Sequence, residues 1–116
     1  MSPKPFRINV SELALTDLRE RLGRTRWPAA TPGAGWHYGV SLDAIRELAD
    51  YWRSDYDWGN AESTLNALPQ FTTTIDGQNV HFIHIRSRHA NALPLIMTHG
   101  WPSSFLELLP LVPLLT

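Results

Sequence analysis

The stretch that decides the fold reads His99-Gly100-Trp101-Pro102. An apolar run of strand length precedes it at 93–98, and a segment typical of a helix start follows it at 103–109. The sequence therefore predicts a turn between a strand and a helix. Gly100 allows the backbone to bend and a substrate to approach closely. Pro102 fixes φ and is able to hold a cis peptide bond, which would make the turn rigid.

Further short motifs follow one another along the rest of the chain. They are Arg24-Thr25-Arg26-Trp27-Pro28, Tyr51-Trp52, Tyr56-Asp57-Trp58, Leu65-Asn66 and Val80-His81-Phe82-Ile83-His84. With the turn at 99–102, this ordered set resembles the N-terminal part of epoxide hydrolases of the α/β-hydrolase superfamily, in the branch that includes the microsomal and juvenile-hormone enzymes. Many α/β-hydrolases share the His-Gly-x-Pro turn, so the whole ordered set carries the resemblance.

The composition is that of an ordinary globular protein. The chain has 116 residues, is 43% hydrophobic and 18% charged, and has a net charge of −1. This balance favours one small domain and gives no electrostatic reason to expect nucleic acid or an anionic membrane as a partner. The lack of cysteine excludes a disulfide framework and a thiol nucleophile and fits a reducing compartment. Without a signal peptide pattern or an apolar run of the ~20 residues that span a bilayer, we expect a soluble, cytoplasmic protein.

The first half of the chain predicts helices and loops without convergent chemistry. An alternating arm at 6–10 is followed by two helices with Ser11 and Ser41 as their N-caps, and a short third helix runs from Asn60 towards Asn66. Two pairs of opposite charge, four residues apart, are expected on the surface of the first helix: Asp17–Arg21 and Glu20–Arg24. The spacing of the acidic residues fits no calcium loop, so a solvated acidic face is expected.

The second half changes to the period of strands. A hairpin is predicted with strands at 71–75 and 79–85 and a tight turn at Asp76-Gly77. His81 and His84 are three residues apart on one strand and therefore point to opposite faces, so they are poorly placed to share a metal. We expect neither a metal nor a cofactor.

The segment after the turn is apolar on every side. Such a helix has to be buried, and Pro110 and Pro113 should kink or restart it. Without the strands that should cover it, the segment would expose an apolar patch and a sheet edge.

The resemblance implies an α/β fold that is incomplete. It divides the chain into an N-terminal helical and loop region at 1–69 and the start of an α/β-hydrolase core at 70–116, with hairpin, third strand, oxyanion turn and first helix. It implies that the backbone N–H of Trp101 is one donor of the oxyanion hole and that its side chain lines the pocket. His99, Gly100 and Pro102 are expected to set the geometry of the turn, with the ring of His99 in a structural role and not in acid–base chemistry.

The activity that the resemblance implies is the hydrolysis of small hydrophobic epoxides to vicinal diols through an aspartyl ester, as in detoxification. Neither Gly-x-Ser-x-Gly nor Gly-x-Asp-x-Gly occurs in the chain. We therefore expect the nucleophile beyond Thr116, and we expect these residues to be inactive alone and to pack on C-terminal catalytic and cap regions.

Two alternatives are left open by the sequence. The chain could be the N-terminal part of another α/β-hydrolase, a haloalkane dehalogenase or an esterase, which the residues of the cap would distinguish. It could also be a non-catalytic interaction module, which should then be a monomer that unfolds cooperatively at this length.

Overall fold

The computed structural model of the protein describes residues 2–116. Its contacts divide the chain into two compact units. The helical unit is Asn9–Ser63, and the sheet unit consists of residues 2–8 together with Thr64–Thr116. The predicted division after residue 69 separates two functional regions, whereas these units are defined by contacts alone, so that division stays a prediction.

Two capped helices form most of the helical unit. Helix α1 (Glu12–Gly23) packs against helix α2 (Leu42–Ser54). Ser11 Oγ accepts the backbone N–H three residues further on at 3.3 Å, and Ser41 Oγ does the same at 3.2 Å. Both helices begin where the sequence predicts, because each serine satisfies an N–H that the first helical turn leaves without a partner.

Interactions between residues three or four apart form ion pairs on α1 and cap the third helix. The two predicted surface pairs on α1 are present, at 3.6 Å for Asp17–Arg21 and 3.4 Å for Glu20–Arg24. Helix α3 (Trp58–Asn66) begins two residues before the predicted position. The reason is Asp57, whose Oδ1 accepts the N–H of the third helical residue at 2.9 Å and so acts as the cap.

An antiparallel sheet of three strands organises the sheet unit. Strands β1 (Lys4–Pro5), β2 (Gln70–Ile75) and β3 (Gln78–Ile83) lie side by side in that order. The predicted hairpin between β2 and β3 is confirmed. Asp76 and Gly77 have φ angles of 48° and 78°, the left-handed pair that a tight type I′ turn requires. Strand β3 ends two residues before the predicted position.

The N-terminal arm is held to the sheet unit by backbone and side-chain hydrogen bonds. After β1, the N–H of Phe6 donates to the carbonyl of Gln70 at 2.9 Å. The side chain of Asn66 then takes the place of a strand partner for Ile8. It accepts the Ile8 N–H at 2.8 Å and donates its own N–H to the Ile8 carbonyl at 2.9 Å. Strand pairing with β2 therefore begins at Lys4, before the predicted arm at 6–10. Within the arm, hydrogen bonds to Gln70 and Asn66 replace regular strand pairing.

The predicted strand at 93–98 is wrong. This segment has no regular secondary structure, and all of its residues are exposed. A strand is held by hydrogen bonds to a neighbouring strand. Residues 2–116 provide no such neighbour for this segment.

The predicted helix after the turn is present in a different form. It is a 3₁₀ helix, Phe105–Leu111, followed by the single turn of α4, Val112–Leu115. Pro110 lies inside the first and Pro113 at the start of the second, so the predicted interruption is confirmed. The expected burial is not reached, since Leu114 is 79% exposed. An apolar helix needs cover on all sides, and the described residues do not provide it.

Burial is low throughout the described part of the chain. Within residues 2–116, Gln70 is the one buried residue, and no apolar side chain is buried. No helix in this range is long and apolar enough to cross a membrane. The same residues contain no group of three or more His, Asp or Glu placed to hold a metal ion.

Candidate functional site

The turn at 99–102 is closed by a short backbone hydrogen bond. The N–H of Ser103 donates to the carbonyl of Gly100 at 2.8 Å. The peptide bond Trp101–Pro102 is cis. The 3₁₀ helix begins at Phe105. The four predicted site residues therefore lie together on one turn. A helix follows this turn, as the sequence predicts.

The Gly100 carbonyl accepts a second hydrogen bond from the ring of His99. His99 Nδ1 lies 3.1 Å from Gly100 O. Because a carbonyl oxygen only accepts, this nitrogen carries the proton. The Gly100 carbonyl and the Trp101 N–H belong to one planar peptide group, in which the two bonds point in opposite directions. Two donors that hold the carbonyl therefore also fix the direction of the Trp101 N–H.

Trp101 is open to its surroundings. It is 95% exposed, and within residues 2–116 its backbone N–H donates no hydrogen bond. Backbone N–H groups are strong donors that bind an acceptor wherever one is available. The turn can therefore offer one oriented donor to an incoming oxygen atom that carries negative charge.

Gly100 has no conformational or steric need to be glycine within the described chain. Its φ lies outside the left-handed range, and a Cβ at this position would have no neighbouring atom within 4 Å. Gly77 differs, since its φ of 78° favours glycine. The sequence analysis predicts that Gly100 allows a substrate to approach closely. That role stays a prediction.

A cluster of polar and aromatic side chains lies beside the helix that follows the turn. Gln70 Nε2 donates to the carbonyl of Leu65 at 2.7 Å, and Gln70 Oε1 lies 3.0 Å from His81 Nε2. The bond to Leu65 fixes the orientation of the amide, so Oε1 faces His81 and His81 Nε2 is the donor. The His81 ring also contacts the rings of Phe6 and Phe105, with centroid distances of 4.9 and 5.4 Å.

This cluster was missed by the sequence analysis, which considered His81 only as part of a metal pair. His81 is exposed, and partial desolvation by its neighbours lowers its pKa, which favours the neutral ring. A signal for the cluster was available in the hairpin. A two-residue turn at Asp76-Gly77 sets the register, which pairs Thr72 with His81 and makes Gln70 a diagonal neighbour on the same face.

Comparison with known proteins decides the family. The family model described as the epoxide hydrolase N terminus matches residues 3–108. The chain belongs to this family. Its predicted resemblance is therefore confirmed.

Named relatives and a solved structure agree with this assignment. A protein of Stigmatella aurantiaca, provisionally named an epoxide hydrolase, is 53% identical over 112 residues, which are 97% of this chain and 26% of the relative. Juvenile hormone epoxide hydrolase 1 of Ctenocephalides felis is 35% identical over 119 residues, which cover 100% of this chain and 26% of that protein. The structure of Aspergillus niger epoxide hydrolase is similar with a TM-score of 0.87 and 32% identity, over 98% of this chain and 30% of that one.

These matches also settle the fold class. The chain has the fold of the N-terminal portion of an α/β-hydrolase of the epoxide hydrolase type. It spans about a quarter of the length of the curated relatives it matches.

Proposed function

We propose that this chain is the N-terminal part of an enzyme that hydrolyses small hydrophobic epoxides to vicinal diols through an aspartyl ester. The observation that carries the proposal is the match of residues 3–108 to the epoxide hydrolase N terminus. The oriented, unpaired N–H of Trp101 supports it, because ester hydrolysis needs such a donor.

The proposed reaction has two steps and consumes one water molecule. In the first, a carboxylate oxygen of an aspartate beyond Thr116 attacks an epoxide carbon, and the ring C–O bond breaks. The ring oxygen keeps the electron pair and takes a proton from a tyrosine of the cap region. In the second, a histidine–carboxylate pair takes a proton from water, and the water oxygen attacks the ester carbonyl carbon. The intermediate expels the diol oxygen, which takes the proton from the histidine. The carboxylic acid that remains loses its proton, which returns to the tyrosine, so that the carboxylate and the tyrosine are both restored.

The turn at 99–102 is proposed to act in the second step. Negative charge develops on the ester carbonyl oxygen, and the Trp101 N–H would bind it together with the N–H of the residue after the nucleophile. One such donor contributes on the order of 2.7–4 kcal/mol. The open space at Gly100 would admit the ester, and the exposed Trp101 side chain would line the pocket.

We also propose that the 116 residues are inactive alone and pack on the catalytic and cap regions of a longer protein. The accessible surface is 9906 Å². A folded monomer of this mass exposes about 6,400 Å². The excess includes Leu93 and Ile96, both 90% exposed, in the segment for which the sequence predicts a strand.

The first test is the intact mass of the protein immunopurified from its source, followed by its activity on styrene oxide. We expect a mass well above 13.1 kDa and formation of the diol, with no turnover by the 116-residue chain. A protein of 13.1 kDa, or a larger one that forms no diol, would contradict the proposal.

A single turnover in ¹⁸O-labelled water tests the ester. With enzyme in excess over epoxide, the first diol should contain no ¹⁸O, because the oxygen it gains comes from the aspartate. Labelled diol in the first turnover would show direct attack of water on the epoxide.

The side chain of Trp101 is tested by Trp101→Ala in the same enzyme. We expect weaker substrate binding or slower turnover with an unchanged melting temperature, because the side chain packs on little of this chain. Trp36→Ala is the matched control, since Trp36 is 68% exposed in the helical unit. Kinetics that Trp101→Ala leaves unchanged would exclude the pocket role.

A further inference from the structure

We propose that His81 is a positioning residue for the turn at 99–102 and acts through its contact with Phe105. This inference rests on the proposed function, because the direction of the Trp101 N–H matters only if an oxyanion forms beside it. The residue does not touch the reacting atoms. It holds the segment that carries the donor.

The turn is tied to the sheet on its downstream side. Upstream, residues 84–98 contain no helix or strand. The His84 N–H donates to the Pro69 carbonyl at 3.1 Å, and the hydrogen bonds after it in this segment are local ones made by the N–H groups of His89 and Ala92. Downstream, Phe105 follows Trp101 by four residues, and its ring centroid lies 5.4 Å from that of His81. Within residues 2–116, this is the one ring contact between a strand and the segment after the turn.

His81 presents a fixed surface to Phe105. Its Nε2–H donates to Gln70 Oε1 at 3.0 Å, and Gln70 is 3% exposed with its amide held by the Leu65 carbonyl. On another side, the ring of Phe6 meets it edge-on at a centroid distance of 4.9 Å. The His81 side chain is exposed, but the hydrogen bond to the buried amide and the contact with Phe6 restrict rotation of its ring, so Phe105 packs against a side chain that is held in place.

Two substitutions separate the two parts of this support. His81→Gln keeps a donor that reaches towards Gln70 but removes the ring. His81→Phe keeps a ring but leaves Gln70 Oε1 without its donor. The matched control is His84→Phe, because His84 lies just beyond β3 with the opposite side-chain direction and none of these contacts.

The kinetic test measures ester formation and ester hydrolysis separately, by rapid quench, in the enzyme that carries this chain. Both His81 variants should slow ester hydrolysis roughly 10-fold, less than the ~100-fold that a 1 Å misplacement of a reacting group costs. Ester formation should be unchanged, because no charge develops on the carbonyl oxygen in that step. Equal slowing of both steps, or none, would overturn the inference.

Hydrogen exchange of the same variants, followed by mass spectrometry, does not depend on activity. Peptides covering 99–105 should exchange faster in His81→Phe and at the wild-type rate in His84→Phe. Unchanged exchange in both variants would overturn the positioning role even if the wild-type enzyme hydrolyses epoxides. A wild-type protein that forms no diol would instead contradict the proposed function, while faster exchange at 99–105 would still support the contact.

Discussion

The helical unit and the segment at 93–116 differ in whether local hydrogen bonds stabilise their predicted secondary structure. In the helical unit, Ser11, Ser41 and Asp57 each satisfy a backbone N–H three residues away. In the segment at 93–98 no hydrogen bond forms a strand, and the helix after the turn is 3₁₀ and largely exposed. Local caps therefore mark where the helices of the first region begin, whereas the described residues offer residues 93–98 no strand to pair with.

The largest effect should come from a side chain at Gly100. We expect Gly100→Val to lower kcat for styrene oxide by about 100-fold, comparable with the loss of one oxyanion donor. The valine would fill the space beside the Trp101 N–H. The melting temperature should not change, because a Cβ here meets no atom within 4 Å.

Gly33→Val in the helical unit should show the reverse pattern. Gly33 has a φ of 70°, so a β-branched residue there is strained and should lower the melting temperature without changing kcat. If Gly100→Val changed stability but not kcat, the two regions would not differ in the way described.

The next effect concerns the buried amide of the sheet unit. Gln70→Leu should lower the free energy of unfolding by about 1–3 kcal/mol, because it removes two hydrogen bonds: the one from Gln70 Nε2 to the Leu65 carbonyl, which keeps the Leu68 N–H as a donor, and the one from His81 Nε2 to Gln70 Oε1. Urea denaturation measures the change. Gln78→Leu, at the exposed start of β3, is the control and should have a much smaller effect. Equal losses in both variants would mean that the cluster does not hold the sheet unit together.

A helix cap in the helical unit should matter less. Ser41→Ala should lower the free energy of unfolding by about 1 kcal/mol, because one N–H of the first turn of α2 loses its acceptor. Ser41→Asp restores an acceptor and should recover the stability. If neither variant differed from wild type in urea denaturation, α2 would not depend on its local cap.

The smallest effect is the pH dependence due to His81. Desolvation holds its pKa in the folded state below the ordinary value of 6.5, so the unfolded chain binds more protons. The free energy of unfolding should therefore fall as the pH decreases through 6.5 and level off below the folded-state pKa. His81→Gln should reduce this slope, measured by urea denaturation at a series of pH values. If the free energy of unfolding changed with pH equally in the variant and the wild type, the pH dependence would be due to groups other than His81.

The elements that the sequence located correctly are those whose signals lie within a few residues. Ser41 before an amphipathic pattern and Asp76-Gly77 between two β-branched runs each act on adjacent backbone. The run at 93–98 has strand composition, but composition carries no information about which strand will pair with it. The register of the predicted hairpin makes Gln70 a diagonal neighbour of His81, but it does not show that the Gln70 amide bonds both Leu65 and His81, because that depends on side-chain angles.

The sequence also predicted only part of the candidate site. The sequence placed His99 and Trp101 on one turn, because they are neighbours in the chain. It did not reveal that His99 Nδ1 and the Ser103 N–H meet on the Gly100 carbonyl, since this depends on side-chain and backbone angles.

The two hydrogen bonds between Asn66 and Ile8 hold together the two parts of the sheet unit, so that the helical unit is an insertion between them in the sequence. The chain leaves the sheet unit after Ile8 and returns at Thr64, and Ile8 and Asn66 share two hydrogen bonds close to these two points. The entropic cost of closing a loop grows by only about 0.6 kcal/mol for each doubling of its length. Residues between these two anchors can therefore be added or removed at little cost to the pairing of Lys4 with Thr72. Variation in the length of this region among relatives would leave the sheet in register.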